Sequence, residues 1–303
     1  MNASKPRVTI GLPVRNGARF LDQALASLVS QTFTDFEIVV SDNASDDETQ
    51  KIVLSYARSD PRIRYYRNER DVGAARNFNR TFHLARGEYF RWAAHDDIWH
   101  DEHLARCVEA LDADPRVVLA YTKVRLIDEE GAVLDPCFDP FELTSPSAAA
   151  RLHRLLWDLR EPHMVFGLTR SRVFAQTRLL RADQGADRLL LAELALLGPW
   201  QQVDDVLFLN RRTDSVRSER TRYWWDPSSR GRLMLRTIRL FVNHADAVWD
   251  TALPGSQKMF LSADAFARFL VKDYRRVGRE IRQAATQGYG IRPWLRERVL
   301  GRV

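Results

Sequence analysis

The residues RVTIGLP, 7–13, form a short apolar run closed by a proline, and EIVVSD, 37–42, form a second that ends on an aspartate. Runs this short and this apolar predict strands buried on both faces. Between them Leu21, Leu25, Leu28 and Val29 recur at three- and four-residue spacing, the pattern of a helix with one buried side. The alternation continues with a helix near 48–58, a strand near 63–66, a helix near 74–85 and a strand at 89–93. Strands and helices that alternate through short links predict an α/β fold, a mostly parallel Rossmann-like sheet covered by helices on both faces. In such a sheet ligands bind beyond the carboxyl ends of the strands.

The polar groups fall at those ends: Pro13 to Asn16 after the first strand, Asp42 to Ser45 after the second, Asn68 to Asp71 after the third, Asp96 and Asp97 after the fourth. Four consecutive strand ends are thereby predicted to share one crevice. Further along, VVLAYTKVRLID predicts a strand leading into a turn at 128–131, and prolines between 136 and 146 interrupt regular structure. A helix at 147–158, a strand near 164–169, a helix at 187–197 and a strand near 202–209 follow, in a mixed second half whose strand order is not readable. From about 228 the pattern turns helical. There Phe266, Leu270, Tyr274, Val277 and Ile281 make an apolar stripe, with Lys272, Arg275, Arg276, Arg279 and Arg282 crowding other positions.

Composition narrows the class. The chain has 303 residues, 45% of them hydrophobic and 28% charged, the balance of an ordinary globular protein with a sizeable core. No run approaches 18 uncharged apolar residues and no signal-peptide pattern opens the chain, so a cytoplasmic address is expected. Two cysteines, Cys107 and Cys137, exclude a disulfide framework and read as packing residues. The formal charge of +6 is lopsided: residues 228–303 carry 15 Lys and Arg against 6 Asp and Glu, so that segment is +9 and the rest −3. No groove-reading or base-stacking motif accompanies it, which leaves solvated helix faces, packing on the α/β domain, or an anionic membrane surface, rather than nucleic acid.

The candidate chemistry starts with GEYFRWAAHDDIW, residues 87–99. Adjacent carboxylates repel unless something positive lies between them. A dinucleotide fold would need G-x-G-x-x-G after the first strand, where GLPVRNGARF stands instead, and no Gly-Lys-Ser/Thr phosphate loop is present. Zinc through His95, His100 and His103 is disfavoured because the latter two fall in the next loop and helix start. Carboxylates without such histidines favour Mg2+ or Mn2+, which keep waters and bridge to phosphate oxygens. A cation there, Asp42 as acceptor for a base or ribose, and Arg76 facing phosphate suit a nucleoside diphosphate-sugar.

The stretch VTIGLPVRNGARFLDQALASLVSQTFTDFEIVVSDNASDDET, and then NERDVGAARNFNRTFHLARGEYFRWAAHDDIW, resembles family 2 glycosyltransferases of the GT-A fold over residues 6–215. The resemblance implies a catalytic domain at 1–215, with a nucleotide-sugar half at 6–115 and an acceptor half at 116–215, followed by a basic helical extension at 216–303. It places Pro13, Asn16 and Asp42 around the nucleoside and Arg76 near the ribose or phosphates. Asp96 and Asp97 become the metal and diphosphate site. One departure stands out: the family's Asp-x-Asp-Asp has Ala94 in its first position here. That leaves Asp96 as the principal metal contact, with His95 as a weak substitute.

The family inverts the anomeric carbon in a single displacement, which requires a base. GADRLLLAELALLG, 185–198, resembles the family's acidic motif and makes Asp187 that base, with Glu193 in reserve. VFGLTR and LNRRTDS resemble later segments, in which Gly167 admits the acceptor sugar and Arg211 and Arg212 touch diphosphate. Each residue also has a plainer reading: Asp187 and Asp97 as helix caps or loop fixers, Asp42 as a turn aspartate, Arg76 as a solvated cation, the rest as packing or surface charge. The expected donor is a UDP- or dTDP-sugar in preference to a GDP-sugar, and the acceptor a glycan or lipid-linked hydroxyl in surface polysaccharide assembly. The competing readings are a degenerate subunit of such an assembly, suggested by Ala94, and a sugar-phosphate nucleotidyltransferase, which wants a richer glycine loop than PVRNGARF.

Overall fold

A computed structural model describes residues 5–135, 141–182, 185–213, 245–251, 253–269 and 271. The first half follows the alternation read above: β1 (Val8–Val14), α1 (Ala18–Val29), β2 (Phe36–Asp42), α2 (Thr49–Ser59), β3 (Ile63–Arg67), α3 (Ala74–His83) and β4 (Tyr89–Trp92). Then come β5 (Ile98–Trp99), α4 (His103–Ala113), β6 (Leu119–Ile127), β7 (Val133–Asp135), α5 (Ala148–Asp158), a 3-10 turn (His163–Phe166), β8 (Leu168–Arg170) and α6 (Ser171–Phe174). The described chain closes with α7 (Ala186–Leu197), β9 (Trp200–Arg211) and α8 (Gly255–Arg268).

These strands form one sheet in the order β3-β2-β1-β4-β8-β6-β9-β5, with β7 paired to β6. β3, β2, β1 and β4 run parallel, as do β6 and β9. The joins β4–β8, β8–β6 and β9–β5 are antiparallel, so the parallel character belongs to the first half and the second is mixed. Every residue of β1, β2 and β4 is buried, as strands covered on both faces must be. The strand pleat splits β4 between two cores. Phe90 and Trp92 face α3, α5 and α7, and Tyr89 faces α1 and α4.

The strand expected near 164–169 is a 3-10 turn followed by the three-residue β8. β8 is wedged between β4 and β6, and Gly167 is what lets it in: a Cβ there would sit 2.8 Å from the Ala120 carbonyl oxygen. Of the expected C-terminal stripe only Phe266 is among the described residues. On α8 the buried positions are Leu261 and Ala265, packed against α5, while Phe266 is exposed. Leu270, Tyr274, Val277 and Ile281, the arginines and lysine among them, and Cys137 lie outside the described residues.

Beneath the sheet Glu37 gathers Thr9 Oγ1 (2.8 Å), Arg64 Nη1 (2.9 Å), Arg86 Nε (2.8 Å) and the Arg86 amide (3.0 Å), tying β1, β2, β3 and the loop before β4 together. Burial pushes the Glu37 carboxyl up, but the donors from Arg86, Thr9 and Arg64 outweigh it and hold the group below its ordinary value of 4.5. A carboxyl lowered by folding contributes stability above its unfolded pKa and loses it as pH falls through 4.5 and below. Glu37→Gln is therefore expected to destabilise the protein at pH 7 and to flatten the fall in stability between about pH 5 and pH 3. Urea unfolding at a series of pH values checks both, and an unchanged acid slope would show that the cluster is not what senses pH.

Candidate active site

The loops after β1 and β2 are bound to each other by side chains. Asn16 sits in the left-handed region (φ 49°), its amide donating to Ser45 Oγ (3.0 Å) and its Oδ1 accepting from the Asp46 amide (3.0 Å). The free amides at the start of α1 are met by α2's approach: Gly17 N donates to Thr49 Oγ1 (2.9 Å) and Ala18 N to Asp47 Oδ2 (3.0 Å). Pro13 is buried in β1 opposite Ser41. Asp42, at the end of β2, has no exposed surface. Its Oδ1 accepts from the Ser45 amide (2.9 Å), and its Oδ2 accepts from Tyr65 Oη (2.7 Å) and Arg67 Nη1 (3.0 Å). Burial and the bond to Asp42 push the Tyr65 phenol up to about 12, so Tyr65 is a donor.

Asparagines do the same work one strand further out. Asn77 on α3 accepts from Ser41 Oγ (2.8 Å) and Asn68 Nδ2 (2.9 Å) and donates to the Ser41 carbonyl (2.8 Å). Asn43 Oδ1 accepts from Asn68 Nδ2 and the Val72 amide, each at 3.0 Å. The sequence placed Asn43 and Asn68 among the polar strand ends without a role, and Asn77 was passed over. The available signal was an asparagine at a core-facing position of an amphipathic helix, beside a residue chosen for its charge. That neighbour, Arg76, is exposed on the first turn of α3 and makes no hydrogen bond or ion pair with the described residues.

Past β4 the chain turns through Ala93 to Asp97. Asp96 and Asp97 are 3% and 0% exposed. Asp97 accepts from Asn210 Nδ2 at both oxygens (3.0 and 3.1 Å) and from the Arg211 amide at Oδ1 (2.8 Å). Asp96 is tied by its backbone, its carbonyl accepting from Arg211 Nε (2.9 Å), while its buried Oδ2 has no hydrogen-bond partner. His95 packs on Gly17, where a Cβ would come within 2.7 Å of the His95 Cδ2. The turn therefore abuts the start of α1 and shares the crevice with the β1 and β2 loops. His100 is exposed beside Asp101, and His103 is buried at the start of α4, where burial and Arg91 hold it well below its ordinary value and thus neutral.

Arg91, on β4, is wholly buried beneath this turn. Its Nη1 lies 2.7 Å from His103 Nδ1, and its guanidinium covers the Trp99 ring at 4.5 Å. Burial pushes it down to about 9, partly offset by Cys107 and Asp97.

A buried carboxylate oxygen without a donor is what a hard cation completes. Among the described residues no group of three or more His, Cys, Asp or Glu side chains converges, so protein ligands would be few. One or two carboxylates plus substrate phosphates is the usual complement of Mg2+ and Mn2+. The residues fit such an ion, Asp96 first.

The remaining predicted residues are distributed unevenly. Arg211, expected at the diphosphate, is instead a buried bracket, 1% exposed. Its Nη1 donates to the Asp128 and Glu129 carbonyls (3.0 and 2.8 Å), its Nη2 to Gln23 Oε1 (2.8 Å), and it lies 4.6 Å from the centre of the Phe20 ring. Arg212 is half-buried, with Glu161 at 3.4 Å. Gly167 is small for the sake of β6. Asp187 occupies the first turn of α7, which starts after Gly185 in the left-handed region (φ 79°), and its Oδ1 accepts from the Arg188 amide (2.8 Å). Glu193 is buried deeper in α7; its Oε2 accepts from the Arg178 amide (2.7 Å), and burial raises its carboxyl. At 8% exposure and bonded to the Arg178 amide, it is the less accessible of the two carboxylates.

A parallel four-strand edge of loops, with a carboxylate turn at its end, is the architecture of GT-A glycosyltransferases. TarS of S. aureus, solved with UDP-GlcNAc, superposes with a TM-score of 0.64 at 16% identity, over 88% of this chain and 73% of that one. The mannosyltransferase PcManGT of Pyrobaculum calidifontis, solved with GDP-Man and Mn2+, gives 0.59 at 20% identity, over 94% and 76%. Residues 9–175, just over half of the chain, match Glycosyl transferase family 2, and the protein belongs to that family. An uncharacterized glycosyltransferase of Rickettsia felis is 36% identical over 137 residues, 44% of this chain and 22% of that protein. Chondroitin synthase of Escherichia coli is 24% identical over 208 residues, 67% of this chain and 28% of that enzyme. The chain thus spans about a quarter of the length of these two relatives. No helix among the described residues is long and apolar enough to cross a membrane.

The division between bracket and free cation is measurable. Arg211→Met strips donors from three backbone carbonyls and is expected to cost about 3 kcal/mol or more, whereas Arg76→Ala should change stability by less than about 0.5 kcal/mol. Urea denaturation of both variants checks the contrast; equal losses would contradict it.

Proposed function

We propose that this glycosyltransferase moves a sugar from a nucleoside diphosphate-sugar to a hydroxyl of a glycan or lipid-linked acceptor, with inversion at the anomeric carbon. The observation that carries the reading is the unpartnered, buried Oδ2 of Asp96 at the carboxyl end of β4, beside the loops that end β1 and β2. Pro13, Asn16 and the Asp42-anchored loop form the nucleoside side of the crevice, and Arg76 supplies a free positive charge for phosphate. Asp96, supported by Asp97, would hold Mg2+ or Mn2+, which when bound stabilises the negative charge of the departing diphosphate. His95 borders that position.

In the displacement Asp187 takes the proton of the acceptor hydroxyl as its oxygen bonds to the anomeric carbon and the bond from that carbon to the diphosphate oxygen breaks. The first turn of α7 is a rigid place for such a base. Arg212, the residue that follows β9, is the remaining candidate for phosphate or acceptor contact. TarS and PcManGT were solved with UDP-GlcNAc and GDP-Man, which supports a nucleotide-sugar donor. A UDP- or dTDP-sugar stays the first choice here. The role in surface polysaccharide assembly, and attachment of the +9 segment at 228–303 to an anionic membrane from the cytoplasmic side, are parts of the same proposal.

Ala94, 8% exposed where the family carries its first aspartate, favours one rival: a subunit that has lost catalysis. Incubation with UDP-, dTDP- and GDP-sugars plus Mn2+ separates the readings. Slow release of nucleoside diphosphate is expected; no binding of any nucleotide would support the rival, and pyrophosphate release from a nucleoside triphosphate would indicate nucleotidyl transfer. Asp187→Asn should lower the rate at least about 100-fold with nucleotide affinity within about twofold. Release at the wild-type rate would remove Asp187 as the base.

A further inference from the structure

Adjacent residues in extended chain project to opposite sides, so Asp96 and Asp97 do not share a direction by default. β5 pairs antiparallel with β9, Ile98 opposite Leu209 and Trp99 opposite Phe208. Continued by one step, that ladder sets Asp97 opposite Asn210. There the Asp97 side chain takes over from the backbone: it accepts from Asn210 Nδ2 and the Arg211 amide, with none of its surface exposed. The next residue of β9 holds the other aspartate by its main chain, Arg211 Nε to the Asp96 carbonyl at 2.9 Å. Both residues of the turn are thus fastened to the end of β9 by groups other than the Asp96 carboxylate, whose Oδ2 is buried without a donor.

We infer that Asp97 is a positioning residue and not a cation ligand: clamped by Asn210 and Arg211, it caps the β5–β9 ladder and thereby aims the carboxylate of Asp96. The inference rests on the reading of Asp96 as the cation-facing group. Asn210 becomes a second positioning residue, and the end of β9, remote in sequence from the Asp-Asp pair, becomes part of the site. The arrangement accounts for the loss of an aspartate at Ala94. With the turn fixed from below by β9, one correctly aimed carboxylate plus phosphate oxygens suffices for the ion.

The discriminating variant is Asp97→Asn. The amide keeps an oxygen able to accept from Asn210 and the Arg211 amide, so the clamp survives, whereas a ligand role needs the charge and both oxygens. Mn2+ binding is read by electron paramagnetic resonance of free Mn2+ on the full chain, with saturating UDP and with GDP in parallel. Thermal unfolding confirms that each variant is folded. The expected result is a loss of more than about 30-fold for Asp96→Asn, about tenfold for Asn210→Ala and Asp97→Ala, and less than about fivefold for Asp97→Asn. If Asp97→Asn falls as far as Asp96→Asn, Asp97 is a ligand and the inference is overturned while the cation reading stands. If Asn210→Ala binds as the wild type does, the clamp is overturned. If Asp96→Asn binds as the wild type does, the cation reading itself fails, and the inference with it.

Discussion

A parallel sheet ends all its strands on one edge, where main-chain donors and acceptors run out of strand partners. Everything at this site follows from how that deficit is met. After β1, β2 and β3 it is met by short polar side chains: Asn16 and Ser45 across two loops, Asp42 within its own turn, Asn43, Asn68 and Asn77 across the next. After β4 it is met from a strand more than a hundred residues away, by Asn210 and Arg211. Satisfied groups make a rigid rim. Asn210 Oδ1 and Asp96 Oδ2 stay buried without a partner, and it is Asp96 Oδ2, with the exposed guanidinium of Arg76, where an ion and a phosphate have something to gain.

The same logic sorts the arginines. Arg211 binds carbonyls of two loops and lies against Phe20, so its charge is consumed in holding the β6–β7 turn, α1 and the carboxylate turn at fixed separations. Arg91 sits under that turn without a carboxylate contact and supplies positive charge from below. Arg76 alone of these three faces solvent. A site assembled this way separates the groups that position from the groups that bind, and the first are buried.

The first half of the fold was legible because each element there is long enough to show its period. β1, β2, β3, β4 and α1 to α3 lie within a residue or two of their apolar patterns. In the second half β6, α5, α7 and β9 also follow their patterns, but β5, β7, β8 and α6 span two to four residues and carry no periodic signal, so the strand order stayed unread. β8 is a strand only because β4 and β6 hold it, a tertiary cause that no local pattern encodes. The site was legible as a set of strand ends but not as a network. Asp42 and Arg211 were visible as charges, and only packing shows that both are internally committed. Asn77 and Asn210 looked like unremarkable polar positions, yet they fix the loops that the conspicuous residues occupy.

We propose that the turn after β4 presents the Asp96 carboxylate, its buried Oδ2 unpartnered, to a cation that meets the donor's diphosphate. Anomalous diffraction from crystals of the protein with Mn2+ and UDP tests it most directly. The expected result is a manganese peak within bonding distance of an Asp96 oxygen, beside the phosphates of UDP, with Asp97 still bonded to Asn210. A nucleotide bound in the crevice with no manganese beside Asp96, or manganese held by Asp97 after release from Asn210, would contradict it.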